Sequence, residues 1–274
     1  MLTRATTLCA IFASLAFNVQ AKETVTVTGS TSVSHVVEVL AETYSIANKE
    51  SFIAVQGVGS SAGITAIKQD AADIGMSSRY LKTAEINPDV LTVTIAHDGI
   101  AMVVNKNNPV SNLTKEQVSK IYHGEFTNWK QVGGPDLTMA VVSRENASGS
   151  RFSFEDFMGL TQQVAGQTVS DINPQVLIVN TNGTVKSLVS RNTQAIGYIS
   201  LGSVDDSVKP LSFEGVQPTL ANLESGEYKI SRPFLMLYKE TKIADNAKEF
   251  IDFVISENGQ NIIDQRGYLA IHPQ

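Results

Sequence analysis

Ser143-Arg144-Glu145-Asn146-Ala147-Ser148-Gly149-Ser150-Arg151 follows the apolar run from Leu137 to Val142 and precedes a helical pattern marked by Phe152, Phe154, Phe157 and Met158. A strand that ends in a Gly/Ser loop and feeds a helix leaves unpaired backbone N–H groups at the positive end of the helix dipole. Such a terminus attracts anions. Arg144 stands four residues upstream of Ser148, where its planar fork can meet an oxyanion with two hydrogen bonds. Taken alone, the stretch is also an ordinary Ser N-cap beside a solvated arginine.

The same arrangement recurs. Gly29-Ser30-Thr31-Ser32 follows the strand-like Thr24 to Val27 and leads into a helix carrying Val36, Val37, Val39, Leu40 and Tyr44. Gly57-Val58-Gly59-Ser60-Ser61-Ala62-Gly63 follows Phe52 to Val55 and leads into Ile64 to Asp70. Three such units predict several helix N-termini gathered on one small anion.

Working outward, apolar runs and amphipathic segments alternate: strands at 24–28, 52–56, 73–76, 90–96 and 99–104, with helices at 34–47 and 62–71. A capping-box pattern at Thr114 to Gln117 opens a second α/β unit, with strands at 137–142, 176–180 and 195–199 and helices at 152–159 and 185–191. Asn182-Gly183-Thr184 reads as a turn or cap before a ligand contact. A short helix at 219–224, a strand at 232–238 and one long helix from Asp245 to about Gln265 complete the chain. Alternation of this kind implies an α/β fold in which ligands sit beyond the carboxyl ends of the strands. Two lobes are expected, each a mixed sheet flanked by helices, with hinge crossings near 99–105 and 231–238. Residues 22–104 with 233–274 would form lobe one, and residues 105–232 lobe two.

The chain has 274 residues, 42% of them hydrophobic and 18% charged, which suits a full-sized globular core and not disorder. Residues 1–21 read as a secretory signal peptide: Arg4, the apolar Leu8 to Phe17, and Val19-Gln20-Ala21 as the cleavage site. Cys9, the only cysteine, lies inside that segment, so the mature chain has no disulfide and no thiol nucleophile; Lys22 stands where a lipoprotein would need cysteine. A soluble protein of the bacterial periplasm is expected. The formal charge of −6 becomes −7 once Arg4 is removed, and with no basic run and a single Trp, nucleic-acid binding is disfavoured. Long-range steering of an anion is disfavoured too, so local dipoles and arginines must bind it.

Taken together, Gly29 to Val33, Gly57 to Gly63, Asp73-Ile74-Gly75-Met76-Ser77-Ser78-Arg79, Asp98-Gly99-Ile100-Ala101, Arg144 with Ser148 to Ser150, and Ile196-Gly197-Tyr198-Ile199 resemble the PstS family of phosphate-binding proteins of bacterial ABC importers, in its shorter form. The match runs in order over nearly the whole mature chain. The resemblance implies a two-lobed periplasmic binding protein of type II that closes on dehydrated inorganic phosphate and delivers it to an inner-membrane permease. It further implies phosphate contacts from Thr31, Ser32, Ser60, Ser78, Arg144, Ser148, Gly149 and Ser150. Longer members carry an aspartate where this chain has Ser78, to accept the proton of bound phosphate. Asp98, at a strand turn between two apolar runs, is the expected replacement, and as an acceptor it would repel unprotonated sulfate. A turn aspartate capping its own loop is the competing reading. Arg79 is expected to hold its loop through an ion pair, with a ligand contact as the alternative, and Arg151 to lie on an exposed helix face.

Other chemistries fit less well. Gly59 to Gly63 matches the G-x-S-x-G pattern with Ser61 as nucleophile, so a secreted phosphatase or esterase on the same scaffold is the alternative. Of His35, His97, His123 and His272, only His97 lies near a candidate loop. Neither a metal-ligand cluster nor a Walker loop occurs in the sequence. No cofactor is expected, and a closing clam of this kind is expected to work as a monomer. Another tetrahedral oxyanion as cargo is the remaining variant.

Overall fold

The computed structural model describes residues 23–271. The signal-peptide reading of residues 1–21, with Cys9, and His272 fall outside the described residues.

In chain order the elements are β1 (Glu23–Gly29), α1 (Thr31–Ala47), β2 (Ser51–Gly57), α2 (Ser60–Lys68), β3 (Ile74–Ser77), β4 (Val90–Val104), β5 (Asn112–Leu113) and α3 (Lys115–His123). Then follow β6 (Ala140–Arg144), α4 (Gly149–Met158), β7 (Thr161–Val164), β8 (Gln167–Ser170), β9 (Leu177–Val179), α5 (Asn182–Arg191) and β10 (Ala195–Ser200). Last come β11 (Lys209–Pro210), β12 (Ser212–Phe213), α6 (Leu220–Glu224), β13 (Ser231–Lys239), α7 (Asp245–Ile255), α8 (Glu257–Gln265) and β14 (Leu269–Ala270).

The main sheet is mixed and runs β2-β1-β3-β13-β4-β10-β6-β9. At one end β2, β1 and β3 are parallel; at the other β10, β6 and β9 are parallel. Between them the antiparallel pair β4 and β13 carries the chain across. The two parallel sets run in opposite directions, so the carboxyl ends of β1, β2 and β3 and those of β6 and β9 lead into loops that face one another across this crossing.

Of four hydrophobic clusters among the described residues, the two largest flank the crossing. The first packs Val33, Val36, Val37, Leu40 and Tyr44 of α1 against Val25 and Val27 of β1 and Phe250, Ile251 and Val254 of α7. These α1 positions recur at three- and four-residue steps, so one helix face is buried although several of its residues are β-branched. Tyr44 meets the Phe250 ring edge-on at 5.4 Å between centroids. The second core gathers Trp129, Tyr122, Phe154 and Tyr198, the last two stacked at 4.0 Å.

Three departures from the sequence reading have local causes. The strands expected at 90–96 and 99–104 are one strand, β4, because the Asp98-Gly99 step stays extended and pairs with Arg232 and Ser231 of β13. It serves both cores, with Ile95 and Ala96 in the first and Ile100, Met102 and Val104 in the second. The single C-terminal helix is two: Ser256 leaves the helical conformation (φ −66°, ψ 163°) and its hydroxyl accepts from the Gly259 N–H, capping α8. Gln260 Nε2 then donates to the Val254 and Ile95 carbonyls, fixing the corner. The β7–β8 hairpin was not anticipated. Its turn is Ala165-Gly166, both at positive φ (50° and 77°), the twist that suits a two-residue hairpin loop.

Candidate anion-binding site

Three of the helices that point at the centre begin with a side-chain-capped first turn. Ser30 Oγ accepts from the N–H groups of Ser32 and Val33 at the start of α1, Ser148 Oγ from Arg151 N–H at the start of α4, and Thr181 Oγ1 from Thr184 N–H at the start of α5. Helix α2 starts instead from Gly59 at φ 101°, a conformation open to glycine. Gly29, at φ 143°, lets β1 turn into α1 against β3: a Cβ there would lie 2.1 Å from the Met76 carbonyl oxygen.

These termini bring their side chains together. Ser32, Ser60, Ser78, Arg144, Ser150 and Arg232 are each at most 2% exposed. The Ser32 and Ser150 hydroxyls lie 3.1 Å apart, joining α1 to α4, and those of Ser60 and Ser78 lie 3.4 Å apart. Ser78 N–H donates to Ser60 Oγ at 3.0 Å. Gly149 fits over this pair only for want of a side chain, since a Cβ would sit 2.2 Å from Ser60 Oγ and 2.5 Å from Ser78 Oγ. Thr31 accepts from Arg144 Nη2 at 3.0 Å. Ser32, Ser60, Ser78, Gly149 and Ser150 thus meet in one buried cluster, with half-buried Thr31 joined to it through Arg144 and Ser148 beside it as the cap of α4.

Two arginines dominate. Arg144, at the end of β6, donates to the Asn180 carbonyl (2.6 Å), Asn182 Oδ1 (3.1 Å) and Glu145 (3.2 and 3.3 Å). Its strand end is held by Tyr198, whose hydroxyl accepts from Arg144 N–H, lies 2.9 Å from Ser143 Oγ, and is pushed up to about 12 by burial. Arg232, which the sequence reading passed over, sits on β13. Its Nη1 donates to Ser150 Oγ (2.7 Å) and Ser78 Oγ (3.2 Å), and its Nη2 to Ser32 Oγ (3.1 Å). Asn182, read as a turn or cap, donates its Nδ2 to Ser32 Oγ at 3.0 Å and so belongs to the cluster. The available signal for Arg232 was a lone charge opening an otherwise apolar strand.

Asp98 reaches the cluster through Arg232. Its Oδ2 accepts from Arg232 Nε (3.0 Å) and Nη2 (2.8 Å), and its Oδ1 faces Gly202 N–H at 3.5 Å. Burial pushes the Asp98 carboxyl up from the usual carboxylate range, and the adjacent guanidinium opposes that shift. Formal charges in the site cancel, Arg144 and Arg232 against Glu145 and Asp98. What remains is a surplus of N–H and O–H donors: guanidinium forks, an amide NH₂, serine hydroxyls and first-turn N–H groups. The complement of a buried cluster crowded with donors is a small group made of acceptors.

Neighbouring residues are engaged otherwise. Arg79 donates to both oxygens of Glu85 at 2.6 and 2.8 Å and to Ser61 Oγ at 3.1 Å, and lies over the Phe152 ring. Ser61, the nominal nucleophile, therefore faces an arginine and not a histidine. His97 sits next to Asp98 on β4, where successive side chains point to opposite faces. Arg151 is not on an exposed face: it pairs with Glu155 at 2.7 Å and donates to the Arg144 carbonyl at 2.9 Å and to Ser170 Oγ at 2.9 Å, because β8 folds over that side of α4. Among the described residues there is no group of three or more metal-ligating side chains, and no helix is long and apolar enough to cross a membrane.

Residues 18–258 match the PBP superfamily domain. The phosphate-binding protein PstS of Borreliella burgdorferi is 30% identical over 251 residues, spanning 90% of each chain. That of Bacillus subtilis is 30% identical over 257 residues, 92% of this chain and 82% of its own. A Clostridium perfringens protein assigned as a phosphate ABC transporter substrate-binding protein, solved with bound phosphate, superimposes with a TM-score of 0.86 at 41% identity, covering 91% of this chain and 100% of that one. An ABC-type phosphate transport receptor from Vibrio cholerae gives 0.76 at 49% identity over the same shares.

Proposed function

We propose, from the premise that this chain belongs to the PstS family of phosphate-binding proteins within the PBP superfamily, that it captures inorganic phosphate and hands it to an inner-membrane ABC importer. The observation that carries the proposal is the buried donor cluster, to which strand ends from both sides of the β4–β13 crossing contribute. Phosphate offers four acceptor oxygens and, stripped of water, needs donors on every side. Thr31, Ser32, Ser60 and Ser78 supply them from one side, and Arg144, Ser148, Gly149 and Ser150 from the other, with Asp98 at the floor. Their first-turn N–H groups add fixed partial charges without needing a net positive protein.

The two hydrophobic cores support a two-lobed reading, with residues 22–104 and 233–274 as lobe one and 105–232 as lobe two. Contacts such as Ser32 to Ser150 and Thr31 to Arg144 then belong to a closed clam. The protein is read as a periplasmic monomer, exported by the segment at 1–21 and without enzymatic activity. Ser61, held by Arg79, has no base in reach to activate it. Incubation with a chromogenic phosphate ester tests this: the expected result is no turnover together with a phosphate-dependent rise in Tm. Ester hydrolysis that vanishes in Ser61→Ala would replace the transport reading with the hydrolase.

A further inference from the structure

Asp98 and Arg232 stand directly opposite each other in the β4–β13 register, one on each crossing strand. The side chains of both are within 1% of complete burial. An isolated ion pair so deep gains little for stability, because desolvation offsets the attraction. This one is not isolated. The three N–H donors of Arg232 that Asp98 leaves free or shares are spent on Ser32, Ser78 and Ser150, hydroxyls from α1, from the loop after β3, and from α4. No other side chain in the cluster touches hydroxyls from all three elements. Ser32 Oγ already accepts from Asn182 as well as Arg232, so its proton is directed at Ser150 Oγ, and the group presents donors on every side.

Resting on the phosphate reading above, we propose that Arg232 is a second guanidinium that binds the anion, at the floor of the cleft, and that Asp98 is the positioning residue that aims its fork. An anion entering among the three serines replaces their hydroxyl oxygens as the acceptor for Nη1 and Nη2. Meanwhile Nε stays on Asp98, which fixes the plane of the guanidinium before the ligand arrives and lowers the ordering cost of binding. Asp98 is then not the acceptor of the ligand's proton: its Oδ2 already takes two N–H bonds from Arg232, and its Oδ1 faces the Gly202 N–H. The hydroxyls themselves, able to accept as well as donate, are left to meet a P–OH group.

Calorimetric titration of phosphate and sulfate into the mature chain tests this. Asp98→Asn/Arg232→Gln keeps the pair hydrogen-bonded and neutral, and Arg232→Lys keeps the charge that satisfies Asp98 while losing the fork, so at least one folded variant is secured. Each is expected to weaken phosphate binding by about 100-fold, the cost of losing charged hydrogen bonds in a dry site. Retention within about tenfold by either folded variant overturns the assignment of Arg232. Asp98→Asn should leave the phosphate-to-sulfate ratio within about threefold of the unaltered protein and have no further effect in the Arg232→Lys background. A collapse of that ratio makes Asp98 the proton acceptor and overturns its positioning role. Absence of phosphate binding by the unaltered protein defeats the functional reading itself, a result distinct from loss or retention in the variants.

Discussion

Gly149 occupies the first position of α4 in an ordinary helical setting, where alanine is the better helix former, yet a methyl group there would press on Ser60 Oγ at 2.2 Å and Ser78 Oγ at 2.5 Å. The two demands pull in opposite directions, and their scales differ. On the two-lobed reading the clash arises only when the cleft closes, so Gly149→Ala should leave unfolding free energy within about 1 kcal/mol. Phosphate affinity should fall by at least about tenfold, since closing would need both serines to move. Denaturant unfolding beside phosphate titration checks the pair, and unchanged affinity would mean that Gly149 does not approach those hydroxyls in the bound state. At this scale the sequence was informative where a residue type sits in a local pattern: serines and glycines at helix starts declare themselves by the strand before and the helix after. Arg232 and Asp98 were not legible as a pair, since their partnership is a matter of register between strands 134 positions apart. Asp98 was noticed for its turn-like neighbourhood, and that very cue suggested the wrong local structure, because the strand runs straight through it.

The loop after β3 is organised by a short helical turn absent from the sequence reading. The helical turn Thr83–Glu85 returns Glu85 to Arg79, and the same carboxylate accepts from Lys82 N–H at 2.8 Å. Burial raises the Glu85 carboxyl, but the hydrogen bonds from Arg79 and Lys82 outweigh it, so the group titrates below its ordinary 4.5. A carboxylate with a depressed folded value contributes stability that is present above the unfolded value and is lost as the pH falls through the folded one. Glu85→Gln should therefore destabilise by about 1–3 kcal/mol near neutral pH, leaving the Arg79 guanidinium buried beside a weaker acceptor. The difference from the unaltered protein should shrink once the pH drops below about 4. Denaturant titrations across that range check it; a gap that stays constant at low pH would remove the ion pair as the cause. Among the longer elements, periodicity located the helices well because each buries one face against a sheet. It failed at Ser256, where the stretch from Ser256 to Asn261 carries no apolar side chain between Ile255 and Ile262 and the backbone turns. A pattern of side chains reports which residues are inside, and a serine inside that pattern has to be read as a cap to see the corner. The β7–β8 hairpin buries almost nothing, so there was no periodic signal to find.

Across the whole molecule, the β4–β13 pair does two jobs that explain the architecture. It carries the chain between two hydrophobic cores, and it supplies the charged floor on which the helix termini of both sides converge. With a formal net charge of −6, the protein cannot draw an anion by its overall field, so affinity has to come from donors already in place at short range. The fold class was readable from alternation alone, and the convergence of the glycine and serine loops followed from their position at strand ends. The continuity of the strand that joins the two sides was not, since His97-Asp98-Gly99 interrupts the apolar pattern between Ile95, which serves one core, and Ile100, which serves the other. The claim on which all of this turns is that hydroxyls from both sides grip one phosphate. Calorimetric titration of phosphate into the mature chain, and into Ser32→Ala and Ser150→Ala, tests it most directly. One phosphate per chain with a Kd of about 1 µM or tighter, and a loss of about tenfold or more in each variant, is the predicted result. Unaltered binding in both variants, or no binding at all in the parent, would contradict it.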